Sequence, residues 1–410
     1  MEQQELIPHL FRNEYRKIVA VLGKVFGFDY IETAEDIASD TFLLAAETWG
    51  QKGIPANPVA WLYTVAKNKA LNHLKRDALF TKKITPAIKH LSRQTDPEEP
   101  GIDLSEKNIN DSQLQMMFAI CHSSLSVEAQ VGLSLRLLCG FGIDEIADAF
   151  LTNKETINKR LFRAKEILRT EKVAIELPGS YEIGQRLEAV LTTLYLLFNE
   201  GYYSTAVNST LRQDLCVEAM RLNYLLVENP STDTPSANAL LALMCFHASR
   251  FEARTGQDGE AILYDDQDES LWNSELIEKG EYYLNRSATG SQLSKYHLEA
   301  AIAYWHTHKQ DTPEKWENIL QGYNRLLQIQ YSPIAALNRT YALAKANGIR
   351  EGIAEAEKLQ LTGNHFYYTL LGELYKNLDR EKARGYLLQA LSLARSPTDK
   401  GTIQSKIDRL

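Results

Sequence analysis

Apolar residues recur with a helical period along almost the whole of this 410-residue chain, and that pattern limits the fold more than any single motif. A strand needs side chains that alternate every second residue and favours β-branched ones. Such alternation is nearly absent. Only 22 glycines and 12 prolines interrupt the pattern. The reading is all-α: two small helical domains, the second ending in a helix-turn-helix, then a long helical region carrying a repeat signal.

Composition excludes several classes of protein. A 44% hydrophobic and 24% charged chain is ordinary for a soluble globular protein. No segment approaches the roughly 18 apolar residues of a membrane span, and the N-terminal MEQQELIPHLFRNEYRK lacks the apolar core of a signal peptide. A cytoplasmic protein with no membrane partner is expected. Cys121, Cys139, Cys216 and Cys245 stand singly, with no CxxC pair, so neither a disulfide framework nor a zinc site is implied. Cys121 and His122, the one thiol–imidazole neighbour pair, lie in the apolar run MMFAICH and read as core. No Gly-rich phosphate loop, GxSxG or HExxH is present, so no catalytic residue, metal or cofactor is expected. The acidic cluster at 265–269 has the spacing of no calcium loop and reads as a solvated loop.

Residues 142–169, GIDEIADAFLTNKETINKRLFRAKEILR, carry the helix-turn-helix. Ile143, Ile146 and Ala147 give the first helix an apolar stripe that Phe150 and Leu151 close. Thr152 and Asn153 then supply a turn with an N-cap. In the second helix Ile157, Leu161 and Ala164 recur at i, i+4 and i+7 and face inward. Lys154, Asn158, Lys159, Arg163 and Lys165 are left outside. From position 154 to 172, seven Lys/Arg stand against three Glu. Amides and cations on an open helix face after a tight turn suit the major groove of DNA. On this stretch alone, a helical hairpin with a solvated charged face is the other reading.

The net charge of −8 is uneven: residues 1–172 carry −1 and residues 173–410 carry −7. Eight cations (Lys67, Lys69, Lys75, Arg76, Lys82, Lys83, Lys89, Arg93) share the stretch 67–93 with one acid, Asp77. Phosphate binding depends on such local patches rather than on the total.

The chain divides into a helical block at 1–93, a flexible, acidic, Pro/Gly-punctuated linker at 94–111, a second block at 112–172, and a helical extension at 173–410. In the extension Tyr368, Leu371, Gly372 and Tyr375, then Ala383, Tyr386, Ala390 and Pro397, follow the tetratricopeptide spacing, clearest over 365–397. A weaker pair spans 316–330 and 333–347. One repeat cannot bury its own face, so degenerate neighbours are expected to stack on it.

In the first block, 35–49 is an amphipathic helix with Ile37, Thr41, Leu44, Ala45 and Thr48 on one face and Asp36 and Asp40 as an acidic ridge beside them. After the loop 50–58, residues 59–76 form a second helix with Leu62, Val65, Ala66, Leu71 and Leu74 inside and Trp61 anchoring its start. Lys67, Asn68, Asn72, Lys75 and Arg76 occupy its other face, where amides can bond base edges and cations can hold phosphates.

The pair AEDIASDTFLLAAETW and NPVAWLYTVAKNKALNHLKR, followed after a linker by the helix-turn-helix, resembles the extracytoplasmic-function group of bacterial sigma-70 factors, reduced to domains 2 and 4. The runs LEAVLTTLYLLFNEGYYS, ALLALMCFHASRFEAR and SPIAALNRTYALA are similar to the subfamily with a C-terminal tetratricopeptide-like extension. The resemblance implies domain 2 over 1–93 and domain 4 over 112–172. It implies a non-enzymatic sigma factor whose partners are promoter DNA and core RNA polymerase, the latter through the clamp coiled coil of its largest catalytic subunit and the flap region. Asp36, Asp40 and Phe42 match polymerase-docking positions, although Phe42 also fits a core place. Lys67, Asn68, Asn72, Lys75 and Arg76 match the −10 surface, with the loop 50–58 lining a pocket for an extruded base. Lys154, Glu155, Asn158, Lys159, Phe162 and Arg163 match the −35 surface, with Arg160 and Lys165 at phosphates. Asn158 stands where many relatives have a cation; it can read adenine bidentately.

The extension has three readings: packing on domain 4, docking a protein or peptide ligand, or folding back as a built-in inhibitor of the basic faces. Two alternatives for the whole chain are a single-component helix-turn-helix regulator and a tetratricopeptide-type interaction scaffold.

Overall fold

In the computed structural model, residues 3–84, 102–202, 209–254, 256, 262–290 and 292–410 are described, and among them every regular element is helical. They form two compact units, Met1–Leu197 and Phe198–Leu410.

The first unit contains α1 (Gln3–Phe26), α2 (Ile31–Lys52), α3 (Pro58–Ile84), α4 (Glu106–Ile120), α5 (Val127–Leu133), α6 (Ile143–Ala149), α7 (Lys154–Thr170) and most of α8 (Ser180–Tyr202). α1 is its axle. Tyr15, Ile18, Val19 and Leu22 are fully buried, and α1 packs on α2, α3 and α4 alike. Gly23 lets the chains close in: a Cβ there would stand 2.6 Å from Met116 Cε of α4 and 2.9 Å from Ile31 Cδ1 of α2. The two sequence blocks therefore share one core. α8 joins them, Arg186 donating to the Phe118 carbonyl at 2.6 Å and Thr193 to Gln130 Oε1 at 2.9 Å.

Sequence explains most boundaries. Ser105, Ser126 and Asn153 each accept a hydrogen bond from a backbone N–H in the first turn of α4, α5 and α7. Of the expected linker, 94–101 lies outside the described residues, Ile102 is buried, and 106–111 are already the first turns of α4. α5 runs on into one π-turn, Ser134–Leu138, which periodicity gave no sign of.

The second unit contains α9 (Ser209–Glu228), α10 (Pro235–Ala248), α11 (Ser274–Ser287), α12 (Lys295–Trp305), α13 (Pro313–Ile329), α14 (Pro333–Asn347), α15 (Ile349–Leu359), α16 (His365–Tyr375), α17 (Arg380–Leu393) and α18 (Pro397–Asp408). From α10 onward each helix packs on the next. Pro235, Pro313, Pro333 and Pro397 open four of them, where a missing N–H costs nothing. Small residues set the crossings. A Cβ on Gly372 of α16 would lie 2.7 Å from Leu387 Cγ of α17, with Ala383 and Ala390 fully buried beside it. Tyr368 and Tyr386 stack across the same joint at 6.2 Å. Gly352 meets Ala344 and Gly322 meets Ile302 in the same way.

Candidate nucleic-acid interface

α3 starts at Pro58, where Asn57 Oδ1 accepts from the Ala60 N–H at 3.0 Å. Its inner side buries Leu62, Ala66 and Ala70, and half-buried Trp61 meets Trp49 edge-to-face at 5.4 Å. This leaves Lys67, Asn68, Asn72, Lys75 and Arg76 exposed along the opposite side, as their spacing required. Lys82, Lys83, Lys89 and Arg93, the rest of the basic run, lie outside the described residues and side chains. Beside Lys67 opens a cleft of about 480 Å³ lined by Tyr63, Thr64, Ile102, Asp103 and Ser105. Tyr63 donates to Glu14 at 2.5 Å; burial and that carboxylate push its pKa well up, so it remains a phenol.

α6 and α7 are two helices joined by the short connection 150–153. Gly142 N–H donates to Glu145 Oε2 at 2.8 Å to start α6, and Asn153 Oδ1 accepts from the Thr156 N–H at 2.8 Å to start α7. Leu151, exposed in the turn, holds φ +49°, a left-handed conformation uncommon outside glycine. Ile157, Leu161, Ala164 and Leu168 are buried. Lys154, Glu155, Asn158, Lys159, Phe162 and Arg163 are all exposed and span a continuous arc of the first two and a half turns. Phe162, 62% exposed, is an aromatic surface between two cations. Lys154 pairs with Asp144 of α6 at 2.5 Å.

Two cations set aside for phosphates sit elsewhere. Arg160 is half-buried with its guanidinium 5.2 Å from the Phe150 ring centroid, bracing the turn. Lys165 is only 8% exposed and is bonded to Glu35 of α2. Lys165 is therefore removed from the basic surface by a partner 130 positions away in the chain.

On α2, Asp36 and Asp40 are exposed, Asp40 within 3.3 Å of Lys69 Nζ on α3. Phe42 is core: at 4% exposure it packs edge-to-face on Phe11. Leu44, expected inside, is exposed, and Leu43 beside it is 60% exposed. The exposed large apolar residues of α2 are thus Leu43 and Leu44, while Ile37, Thr41 and Ala45 of the expected stripe are buried.

A set of ion pairs ties α7 to α2. Glu35, itself buried, accepts from Lys165 and from Arg136 Nε at 2.7 Å. Arg136 sits in the π-turn and also donates to the Phe141 carbonyl (3.2 Å) and Tyr15 Oη (3.3 Å). Burial pushes the Tyr15 pKa up to about 12, so Oη is a neutral acceptor. One turn on, Arg169 bonds Glu32, Glu166 and the Phe28 carbonyl. Arg12 of α1 reaches Glu145 of α6 at 2.8 Å. The last turns of α7 are clasped against Glu32 and Glu35 of α2 and the Phe28 carbonyl, while its first turns stay open. Cys121 is buried, its thiol pushed up to about 12 by burial, and His122 instead faces Glu171 at 3.4 Å.

Comparison with known proteins meets this geometry at α1–α3. Residues 10–79 match the family model described as Sigma-70 region 2, and residues 186–288 match a family of unknown function, DUF6596. The chain is 31% identical over 389 residues, 93% of its length, to the uncharacterized protein R00370 of Rhizobium meliloti (strain 1021), covering 91% of that protein. It is 26% identical over 166 residues, 40% of its length, to the RNA polymerase sigma factor YlaC of Bacillus subtilis (strain 168), covering 91% of that one. No solved structure matches. The chain belongs to one family with the Rhizobium protein, and its residues 10–79 carry a Sigma-70 region 2 domain. No described helix is long and apolar enough to cross a membrane.

Proposed function

We propose that this protein is a sigma factor: it binds core RNA polymerase and directs promoter-specific initiation of transcription. The observation that carries the reading is the exposed face Lys67–Asn68–Asn72–Lys75–Arg76, which lies on α3 inside the region 2 match. In this proposal Asn68 and Asn72 bond an extruded −10 base while Lys67, Lys75 and Arg76 hold the adjoining phosphates. Lys154, Glu155, Asn158, Lys159, Phe162 and Arg163 meet the −35 element in the major groove. α2 docks on the polymerase clamp coiled coil with Asp36, Asp40, Leu43 and Leu44.

Both DNA faces belong to one packed unit, so the ion-pair clasp at Glu35 gives way when polymerase separates domain 2 from domain 4. The exposed polar faces are small, and each alone binds DNA weakly and with a steep salt dependence. The helix pairs of the second unit, with Gly372 at the α16–α17 crossing, support the tetratricopeptide-like reading and a protein or peptide ligand for it.

The test is assembly. On size exclusion at moderate salt the chain co-migrates with core RNA polymerase, and the double substitution Asn68→Ala, Asn72→Ala leaves that assembly intact while abolishing promoter opening. Tight binding to duplex DNA as a dimer, without polymerase, would establish the single-component regulator instead.

A further inference from the structure

The second unit gathers buried hydrogen-bond donors that have no acceptor among the described residues. Arg250, just past α10, is 8% exposed, and its Nε is sealed from solvent with nothing bonded to it. Its guanidinium carbon lies 5.3 Å from the Tyr264 ring centroid and 5.9 Å from that of Trp272. Trp272 Nε1 is buried without a partner, and so is Nδ1 of His247, one helical turn before Arg250. Burial, reinforced by Arg250 and Arg254, holds His247 well below its ordinary pKa, so its imidazole is neutral and can present an N–H.

Charge points the same way. Lys315 is 1% exposed and its Nζ has only neutral acceptors, Tyr264 Oη at 3.1 Å and the His308 carbonyl at 2.6 Å. Arg254 lies 3.8 Å over the Tyr202 ring. Asp311, whose field reaches Lys315, is held by Lys345 and by Trp316 Nε1 at 2.7 Å. Among the described residues none of Arg250, Arg254 and Lys315 has a carboxylate in ion-pair contact. A buried guanidinium without a counter-charge is strongly unfavourable. A water molecule could accept from two of the orphan donors but would add no negative charge to a guanidinium that has no carboxylate partner among the described residues.

We propose that Arg250, Trp272 and His247 form a binding site for the oxyanion end, phosphate or carboxylate, of a small metabolite. The Tyr264 and Trp272 rings, their centroids 6.1 Å apart, back the guanidinium on one side, and its N–H fork can grip an oxyanion in a bidentate contact. His306, 5.4 Å from the Tyr264 ring, also lines a cavity of about 160 Å³ with Trp316, Ile319, Tyr323, Asn338 and Tyr341, which is room for one small ring. The site belongs to the second unit and rests on none of the promoter assignments.

The experiment is titration calorimetry on the full chain with inorganic phosphate and with benzoate as separate probes, at constant ionic strength in chloride. One probe binds at one site per chain, and which one does so identifies the oxyanion. Trp272→Phe, which keeps the ring and removes one N–H, weakens binding about fivefold, and Arg250→Met weakens it by about 10- to 100-fold. Circular dichroism of Trp272→Phe matches the parent, so its effect is read on a folded chain. Heat no greater than that of chloride for both probes overturns the proposal. So does binding indifferent to both substitutions, which would mark an adventitious ion only.

Discussion

At the scale of single residues, local spacing placed the exposed polar faces of α3 and α7 but could not see who else claims a side chain. Ile157, Leu161 and Ala164 were legible as the inner side of α7, and Lys159 and Arg163 therefore as its outer side. Lys165 has the same chemistry and the same helix, yet Glu35 takes it inward, and nothing within ten residues of either announces the pair. The two kinds of cation separate in experiment. Lys159→Ala or Arg163→Ala should weaken promoter binding by roughly 1–3 kcal/mol where the contact is to a base, at unchanged melting temperature. Lys165→Ala should do the reverse, destabilising the fold by roughly 1.5–3 kcal/mol, because the buried Glu35 loses one of its two cationic partners and keeps only Arg136. Thermal melts and binding titrations on the three variants check this; a Lys165 variant as stable as the parent contradicts the clasp. Phe42 and Leu44 show the other limit. They stand about 160° apart on the helix, and either could complete the stripe begun by Ile37, Thr41 and Ala45. Phe11, from α1, decides for Phe42.

At the scale of elements, what the sequence made readable were features closed within one helix or one pair. The N-cap Asn153, the amide-and-cation face of α3, and the α16–α17 joint follow from short-range spacing. The π-turn at Ser134–Leu138 did not, because its reason is tertiary: it aims Arg136 at Glu35 and Tyr15. The linker's final third likewise turned helical once Ser105 capped it and α4 could bury Met116 and Met117 against the rest of the unit. The α16–α17 joint offers a direct check. Gly372→Val puts carbon where Leu387 and the Ala383 carbonyl already stand, so it should cost roughly 1–3 kcal/mol in urea unfolding. Gly385→Ala on the neighbouring helix, where a Cβ meets nothing within 4 Å, should cost nothing measurable. Equal effects at the two glycines would refute the close crossing.

At the scale of the molecule, two behaviours follow from groups that no local pattern exposes. His306, walled by Tyr264 and Trp316, has its pKa lowered from 6.5 to about 3 by burial, with Arg250 and Lys315 adding to it. Its unfolded form binds the proton more readily, so its contribution to stability is complete above pH 6.5 and is lost as pH falls toward 3. At pH 5.5 the loss is roughly 1 kcal/mol, read as a lower melting temperature that His306→Phe makes less pH-dependent. The clasp gives the second. All four native cysteines are buried, so fluorophores on Lys52→Cys and Thr170→Cys label selectively, and their separation should lengthen when core polymerase is added. A constant separation would mean that domains 2 and 4 act as one closed block. The claim beneath all of this is that the chain programs RNA polymerase, and run-off transcription from genomic fragments tests it most directly. Core polymerase plus this chain should yield discrete transcripts that vanish with Asn68→Ala, Asn72→Ala, whereas transcripts no different from those of core polymerase alone would contradict the account.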